Sequence, residues 1–366
     1  MVVKRTLKIL LLMVMATVII GTILAVGMSA PHAQPESLAI ASSPPPPLSL
    51  TFPLDGLPPI RGFSMQLDDP DGLKGYLQAI DDLSKAGCPW INFVINARQH
   101  DIHAETIAMN DQDSLSPADI KQVLLYAHQK GIQTMLMPIV LLDVATGDEW
   151  RGKIAPKHWN DWFDSYRAYI TMTAHWAQEC HVGIFAVGSE LISTETMIYQ
   201  WRRVVYAVKA VYSGKLTYSA NWDHYDYVRI WNLLDYIGMN SYYDLSDVPA
   251  PPVDEVIRTW TPIQRNIFNF ARHEKKPVLL TEIGWDNLQN TLKEPWDYVG
   301  TGTIDPNVQL RAYQAFVQVW RNQPENVFVG AMIWEWQPGA KPSDYGTYSL
   351  QGEPALPLVM HWVTGK

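Results

Sequence analysis

Eight short apolar runs recur between residues 60 and 336, and segments with helical periodicity separate most of them. One such segment begins at Ser116-Pro117 and stops at Gly131, which are favourable residues for a helix start and a helix end. Strands that alternate with helices form a parallel sheet. The predicted strands are IRGFSMQ (60–66), WINFVIN (90–96), IQTMLMPIV (132–140), VGIFAVGSE (182–190), KLTYSAN (215–221), LDYIGMNSYY (234–243), PVLLTEIGW (277–285) and FVGAMIWEW (328–336).

Eight strands with helical crossovers in roughly 300 residues predict an α/β fold, a closed (β/α)8 or TIM barrel. We expect it to form a single catalytic domain over residues 56–366. An open, doubly wound sheet is the alternative, but that fold usually has a glycine-rich turn after its first strand. Here the sequence FSMQLDDPDG follows instead. The active site of such a barrel is expected where the strands end.

The N-terminal residues have a different composition. Lys4, Arg5 and Lys8 precede an uncharged run over residues 9–28, which predicts either a signal peptide over residues 1–28 or an uncleaved signal-anchor in the membrane. A candidate cleavage site is Ala25-Val26-Gly27. Residues 29–55 contain SSPPPPLS and no core-forming pattern, so we predict a stiff tether. The remaining chain is expected outside the cytoplasm, secreted or anchored.

Composition excludes several classes of partner and cofactor. The chain has 28 basic and 37 acidic residues and a net charge of −9, which argues against a nucleic-acid partner. Two cysteines, Cys88 and Cys180, form neither a disulfide framework nor a zinc cluster. We expect two free buried thiols, with a single disulfide in an oxidising compartment as the alternative. No cofactor is predicted.

Polar and aromatic side chains stand where the later strands are predicted to end. Indole and phenol rings pack on the C–H faces of sugar rings, while amides and carboxylates bind the hydroxyls. These strand ends therefore predict a carbohydrate site at the mouth of the barrel. The segments are GSE (188–190), NWD (221–223), NSYY (240–243), EIGW (282–285) and WEW (334–336).

Two of these residues, Glu190 and Glu282, predict the chemistry. A retaining glycosidase uses two carboxyl groups about 5–5.5 Å apart, one as nucleophile and one as acid/base. We predict that Glu282 is the nucleophile and Glu190 the acid/base, with Tyr242 donating to Glu282 and keeping it ionised. Burial beside a second carboxylate is expected to raise the pKa of Glu190. Alternation along the last strand predicts that Glu335 points away from the barrel axis.

Five segments together resemble glycoside hydrolase family 113: FAVGSELIST, LTYSANW, LDYIGMNSYYDLSD, KPVLLTEIGW and EWRGKIAPKHWNDWFDSY. The resemblance implies a clan A (β/α)8 enzyme that hydrolyses β-mannan and manno-oligosaccharides with retention. It implies that Glu190 is the acid/base and Glu282 the nucleophile. It also places the family's Trp-Arg-Gly segment at residues 150–152 and its Asn-Trp pair at residues 221–222. The substrate-binding residues expected from the strand ends and the resemblance are Trp150, Arg151, Asn221, Trp222, Asn240, Trp285 and Trp334.

Two positions depart from the family pattern. Glu190 follows Gly-Ser rather than Gly-Thr, and the third strand ends in Met137-Pro138-Ile139, where the family tends to place a lysine and a histidine. Those polar groups would contact a sugar, so a β-glucan or another β-linked hexose is an alternative substrate. Three long strand-end loops, 97–115, 143–158 and 286–305, are expected to shape the cleft.

Two rival functions are less well supported by the residues. A metal-dependent barrel hydrolase needs a His-x-His on its first strand, and this strand has none; His224 stands alone, and His100 and His103 lie in a polar loop. We therefore predict no metal. A non-catalytic carbohydrate-binding barrel is the second rival, but such a protein is expected to have lost Glu190 or Glu282.

Overall fold

The eight predicted strands close into one parallel barrel in a computed structural model, which describes residues 56–110, 112–341 and 346–366. Each strand pairs with the next, and β1 closes the ring against β8, for example through Gly62 and Met332. The predicted (β/α)8 barrel is therefore confirmed. The strands are β1 (Ile60–Gln66), β2 (Trp90–Gln99), β3 (Gln133–Leu142), β4 (Ile184–Ser189), β5 (Lys215–Ala220), β6 (Ile237–Asn240), β7 (Val278–Ile283) and β8 (Phe328–Ile333).

Helices connect most of the strands, as the periodicity predicts. The Ser116 side chain accepts a hydrogen bond from the Asp119 N–H, so the predicted cap starts the second helix. Only the 3₁₀ segment Trp231–Leu233 lies between β5 and β6. In the described part of the chain the α-helices are α1 (Leu73–Ala86), α2 (Pro117–Gln129), α3 (Trp159–Glu179), α4 (Ile198–Val211), α5 (Val253–Glu274), α6 (Pro306–Trp320) and α7 (Leu356–Thr364).

Two buried clusters hold the barrel together. The smaller comes from the strands alone and fills the lumen, as in a packed TIM barrel. The larger lies between the strands and the helices and includes fully buried tryptophans such as Trp201, Trp260 and Trp320. The lumen is thus closed to ligands below its mouth. The residues of the lumen cluster are Ile60, Val94, Met135, Met137, Ile139, Ile184, Ala186, Leu279, Val329 and Met332.

The strands are irregular where the predicted site residues stand. The register between β4 and β5 shifts between Ala186 and Ser189, just before Glu190, and that between β6 and β7 shifts at Asn240. Such bulges re-aim side chains and are common beside active sites. The sixth strand is also shorter than predicted, and β7 ends at Ile283. Residues 284–285 therefore lie beyond the sheet.

Both cysteines are free and buried, as expected. The Cys88 thiol donates to the Trp90 carbonyl at 3.1 Å. Burial raises the pKa of Cys88 to about 12 and that of Cys180 to about 11, so both stay protonated at neutral pH. Neither thiol is suited to nucleophilic chemistry.

The predictions for the N-terminal residues lie outside the described residues. They comprise the signal peptide or signal-anchor over residues 1–28, its candidate cleavage site Ala25-Val26-Gly27 and the tether over residues 29–55. Among the residues that are described, no helix combines the length and the apolarity needed to cross a bilayer.

Candidate active site

Glu190 stands one residue beyond the end of β4, at the mouth of the barrel. Its backbone φ is 54°, a left-handed conformation that is uncommon for a residue with a side chain. The Glu190 N–H donates to the Ser219 carbonyl at 2.8 Å, so the turn remains tied to β5. Its carboxylate is only 7% exposed and accepts hydrogen bonds from Arg151 and Asn240. A buried carboxylate held by two donors is positioned rather than solvated.

Asn240, the last residue of β6, connects Glu190 to β5. Its Nδ2 donates to Glu190 and also to the Asn221 Oδ1 at 3.0 Å, while its Oδ1 accepts from the Trp222 N–H at 2.8 Å. One amide therefore fixes the carboxylate, Asn221 and the Trp222 backbone together. The structure thus brings the predicted pair at residues 221–222 and Asn240 into one hydrogen-bonded group around Glu190.

The Trp150-Arg151-Gly152 segment reaches the same carboxylate from the loop after β3. Arg151 forms an ion pair with Glu190, and its guanidinium lies 5.9 Å from the Trp150 ring centroid. Gly152 packs against that ring, because a Cβ there would lie 2.4 Å from a Trp150 ring atom. The absence of a side chain at Gly152 therefore leaves room for the Trp150 ring. That ring in turn makes a cation–π contact with the Arg151 guanidinium.

Glu282 is the penultimate residue of β7 and lies on the opposite side of the mouth. Its side chain is 6% exposed. The Tyr242 hydroxyl donates to its Oε2 at 3.0 Å, as predicted. Burial first, and then the negative charge of Glu190, raise the pKa of Glu282 to about 8, while Arg151 and Tyr242 oppose the rise. The predicted donor is thus in place, and its hydrogen bond favours the ionised form of Glu282 against the effect of burial.

The residues directly after β8 complete the mouth. Trp334 is half-buried, and its N–H donates to the Ile283 carbonyl at 2.7 Å, which ties it to the strand that carries Glu282. The charge of Glu335 contributes to the raised pKa of Glu282, and its carboxylate accepts from the Gln337 side chain at 2.6 Å. Glu335 is thus close enough for its charge to influence Glu282.

Trp285 is not part of the mouth. It is fully buried and packs between α5 and α6, with its ring centroid 6.4 Å from that of Trp260 and 5.0 Å from that of Tyr313. The prediction that it binds substrate is wrong. The cause is the strand boundary: β7 ends at Ile283, so the chain that follows no longer alternates between the lumen and the helices.

Glu195 was not predicted from the sequence; it lies five residues beyond Glu190 in the chain. The side chain is 2% exposed, and its Oε1 accepts from the Tyr218 hydroxyl at 2.9 Å. The same hydroxyl accepts from the N–H of Leu191, the residue after Glu190, at 2.9 Å. Burial raises the pKa of Glu195 to about 8. A glutamate directly after a short 3₁₀ turn carries no pattern that would have predicted this contact.

Trp296 was also missed, because it lies in the irregular loop after β7. Its ring stacks on that of Trp222, with centroids 5.7 Å apart and planes at 22°. Trp222 in turn packs against Tyr243 at 5.0 Å, and the Tyr243 hydroxyl donates to the Trp222 carbonyl. Tyr243, Trp222 and Trp296 therefore form an aromatic stack that extends from the Glu190 side of the mouth towards solvent.

A group that could hold a metal ion includes neither of the two glutamates. Within the described ranges, Glu105, His158 and Asp161 bring their ligand atoms within 4.8 Å of one another. His158 already shares a 2.8 Å contact with Glu105, and His158 and Asp161 are exposed. Neither predicted catalytic carboxylate belongs to this group, so it offers nothing to the chemistry at the mouth.

Comparison with known proteins gives a family and a fold. The family model described as Glycoside Hydrolase Family 113 matches residues 75–349. The structure is similar to that of the family 113 β-mannanase AaManA from Alicyclobacillus acidocaldarius in complex with ManMIm, with 26% identity, a TM-score of 0.74, and 85% of this chain and 99% of that chain covered. No curated protein matches the chain.

Two further solved structures show the same fold. A family 113 β-1,4-mannanase is 21% identical, with a TM-score of 0.73 over 84% of this chain and 99% of that one. A family 5 mannosidase from Rhizomucor miehei is 10% identical, with a TM-score of 0.57 over 83% of this chain and 92% of that one. At 21% and 10% identity, these similarities establish a shared barrel fold and nothing about function.

Proposed function

The chain belongs to glycoside hydrolase family 113, and from that premise we propose that it is a retaining β-mannanase with Glu282 as nucleophile and Glu190 as acid/base. The observation that carries this proposal is a pair of buried carboxyl groups at the mouth, Glu190 directly after β4 and Glu282 in β7, in which the charge of Glu190 raises the pKa of Glu282. Two such groups in different surroundings are what a double displacement needs.

The reaction proceeds in two balanced steps. In the first, a Glu282 oxygen attacks the anomeric carbon, the glycosidic C–O bond breaks, and Glu190 gives its proton to the departing oxygen. A glycosyl ester on Glu282 results. In the second, Glu190 takes a proton from water, the water oxygen attacks the same carbon, and Glu282 leaves as the carboxylate. Two inversions give a β-anomer as the first product.

The two glutamates must differ in charge for the reaction to start. Burial and the charge of Glu190 raise the pKa of Glu282, so two negative charges in the mouth are disfavoured. Only the form with a proton on Glu190 and a negative charge on Glu282 can react. Tyr242 stabilises this charge by its hydrogen bond, and Arg151 does so by its own positive charge. Loss of the Glu190 proton removes the acid and stops the first step.

The remaining residues of the mouth are suited to bind sugar. Asn221 and Asn240 carry amides, and Trp150, Trp222 and Trp334 are half-buried rings. The family 113 neighbours are β-mannanases, which favours mannan or manno-oligosaccharides as substrate. Positive charges before the apolar run at residues 9–28 further support action outside the cytoplasm, either secreted or tethered to the membrane.

One observation supports a second candidate, a β-glucanase of the same clan. Met137 and Ile139 are buried in the lumen cluster, 0% and 6% exposed, so they offer a sugar no polar contact. The substrate contact that the family pattern places in the third strand is therefore changed. Mannose specificity depends on such contacts, whereas the two-glutamate chemistry does not.

A substrate panel tests both candidates. The purified protein is incubated with β-mannan, β-glucan and aryl β-glycosides, beside Glu282→Ala, and the first anomer is followed by NMR. We expect turnover of mannan, a β-anomer first, and no turnover by the variant. Preference for β-glucan would establish the second candidate. An α-anomer first would overturn the role of Glu282, and sugar binding without turnover of any substrate would show a non-catalytic barrel.

A further inference from the structure

Trp296 is an exposed aromatic residue at the edge of the active site. Its side chain is 44% exposed, although one face lies against Trp222 with the two planes at 22°. The exposed surface must therefore be its opposite face and its edge. A flat apolar face of this kind, open to solvent beside a site built from amides and carboxylates, is the surface on which a pyranose ring packs.

The stack stands on the side of the mouth where the leaving group departs. The Trp222 N–H donates to Asn240, and Asn240 donates to Glu190. Glu190 must reach the oxygen of the bond that breaks, so the sugars released in the first step extend from its side of the cleft. Trp296 lies one ring further out than Trp222. It is thus placed to meet a sugar beyond the cleavage point rather than the sugar that Glu282 attacks.

The loop that carries Trp296 is held on both sides. The Tyr348 hydroxyl donates to the carbonyl of Pro295, the residue directly before Trp296. The Leu245 N–H donates to the Leu292 carbonyl at 2.7 Å, which joins this loop to the one after β6. The Gln289 N–H donates to the Thr303 carbonyl at 2.8 Å and closes the base of the loop. An exposed ring on a fixed support loses little freedom when a ligand binds.

On the basis of the glycosidase function proposed above, we propose that the outer face of Trp296, backed by Trp222, binds a pyranose ring in the leaving-group part of a β-linked oligosaccharide. The site requires a substrate with sugars beyond the bond that breaks. It therefore favours cleavage within a chain over release of a small aglycone. Trp296 acts by binding, and it takes no part in proton transfer or nucleophilic attack.

The test compares Trp296→Ala with a matched variant, Tyr206→Ala, which removes an aromatic residue that is 59% exposed on α4. The probes are mannohexaose, which has sugars in its leaving group, and an aryl β-mannoside, which has none. We expect the ratio of kcat/KM for mannohexaose to that for the aryl mannoside to fall about tenfold in Trp296→Ala and to stay unchanged in Tyr206→Ala. Trp296→Phe should keep most of the ratio.

An unchanged ratio in Trp296→Ala, or an equal fall in Tyr206→Ala, would overturn the proposal. If the wild type prefers β-glucan, cellohexaose and an aryl β-glucoside replace the two probes. If the wild type hydrolyses neither pair, the proposed function fails, and calorimetric titration of mannohexaose then tests the binding face separately. Weaker binding by Trp296→Ala, with Tyr206→Ala binding like the wild type, would support a sugar-binding face at Trp296. Equal binding by the wild type and both alanine variants would refute it.

Discussion

Glu190 and Glu282 are buried to nearly the same extent, 7% and 6% exposed, but their surroundings differ. Glu190 accepts from a guanidinium and an amide, Arg151 and Asn240. Glu282 accepts from one phenol, Tyr242, at 3.0 Å. Two glutamates of equal intrinsic chemistry are thus made unequal by the donors around them, which is how one site obtains an acid and a nucleophile.

The difference also shows what the substrate has to change. Without a ligand, burial and the charge of Glu190 raise the pKa of Glu282, which opposes the negative charge that the nucleophile must carry. Reaction needs Glu282 charged and Glu190 protonated. A bound sugar that places its glycosidic oxygen beside Glu190, and its electron-poor anomeric carbon beside Glu282, favours that distribution.

Removing either glutamate gives the largest expected effect and separates their roles. We expect Glu282→Ala to lower kcat on the order of 10⁴-fold or more on every substrate. Glu190→Ala should lose about 10²- to 10⁴-fold on mannan, but far less on a dinitrophenyl mannoside, whose leaving group needs no acid. Added azide should give a β-glycosyl azide with Glu190→Ala and an α-glycosyl azide with Glu282→Ala, as NMR would show. Reversed azide anomers would exchange the two roles.

Tyr242→Phe tests the phenolic donor to Glu282. Loss of a hydrogen bond to a charged group costs roughly 1.5–3 kcal/mol, so we expect kcat to fall about ten- to a hundredfold on all substrates. The control is Tyr212→Phe, whose buried hydroxyl donates to the Val182 carbonyl far from the mouth. Steady-state kinetics on both variants provide the measurement. Equal losses in the two variants would mean that Tyr242 is only structural.

Arg151 tests the charge that favours the ionised pair. Its positive charge lowers the pKa of Glu282, so Arg151→Met should move both limbs of the bell-shaped kcat/KM profile to higher pH, by about one unit. Activity at pH 5 should then fall more than activity at pH 8. Arg151→Lys keeps the charge and should shift the limbs less. A profile that falls in height without moving would contradict this role of Arg151.

Glu195→Gln is expected to have the smallest effect on activity and a clear effect on stability. Burial raises the pKa of Glu195 from about 4.5 to about 8, so the folded protein keeps a proton that the unfolded chain has lost. The free energy of unfolding of the wild type should therefore decline between pH 4.5 and pH 8. Glutamine does not titrate, so the variant should gain on the order of 5 kcal/mol on the wild type across this range.

Urea denaturation at three pH values measures this difference. The exposed Glu325→Gln serves as control and should show no such gain. If the difference between Glu195→Gln and the wild type is the same at pH 5 and pH 8, Glu195 does not hold a proton in the folded state.

The fold and the two glutamates were predictable because they depend on order along the chain. Strand periodicity and the rule that barrel sites lie at strand ends were enough to place Glu190, Glu282, Tyr242 and Asn240 together. Trp285 was predicted wrongly because alternation fails two residues past the end of β7. Trp296 had no periodic pattern to reveal it, and the raised pKa of Glu282 depends on burial and on charges from several elements.

The most direct test of the central claim is to trap the ester on its carboxylate. The full chain is incubated with a 2-deoxy-2-fluoro-mannosyl fluoride, which slows the hydrolysis of the glycosyl-enzyme, and is then digested and analysed by mass spectrometry. We predict one added fluorosugar per chain, on the peptide that contains Glu282 and on that residue. A label on Glu190 or on any other residue would contradict the account.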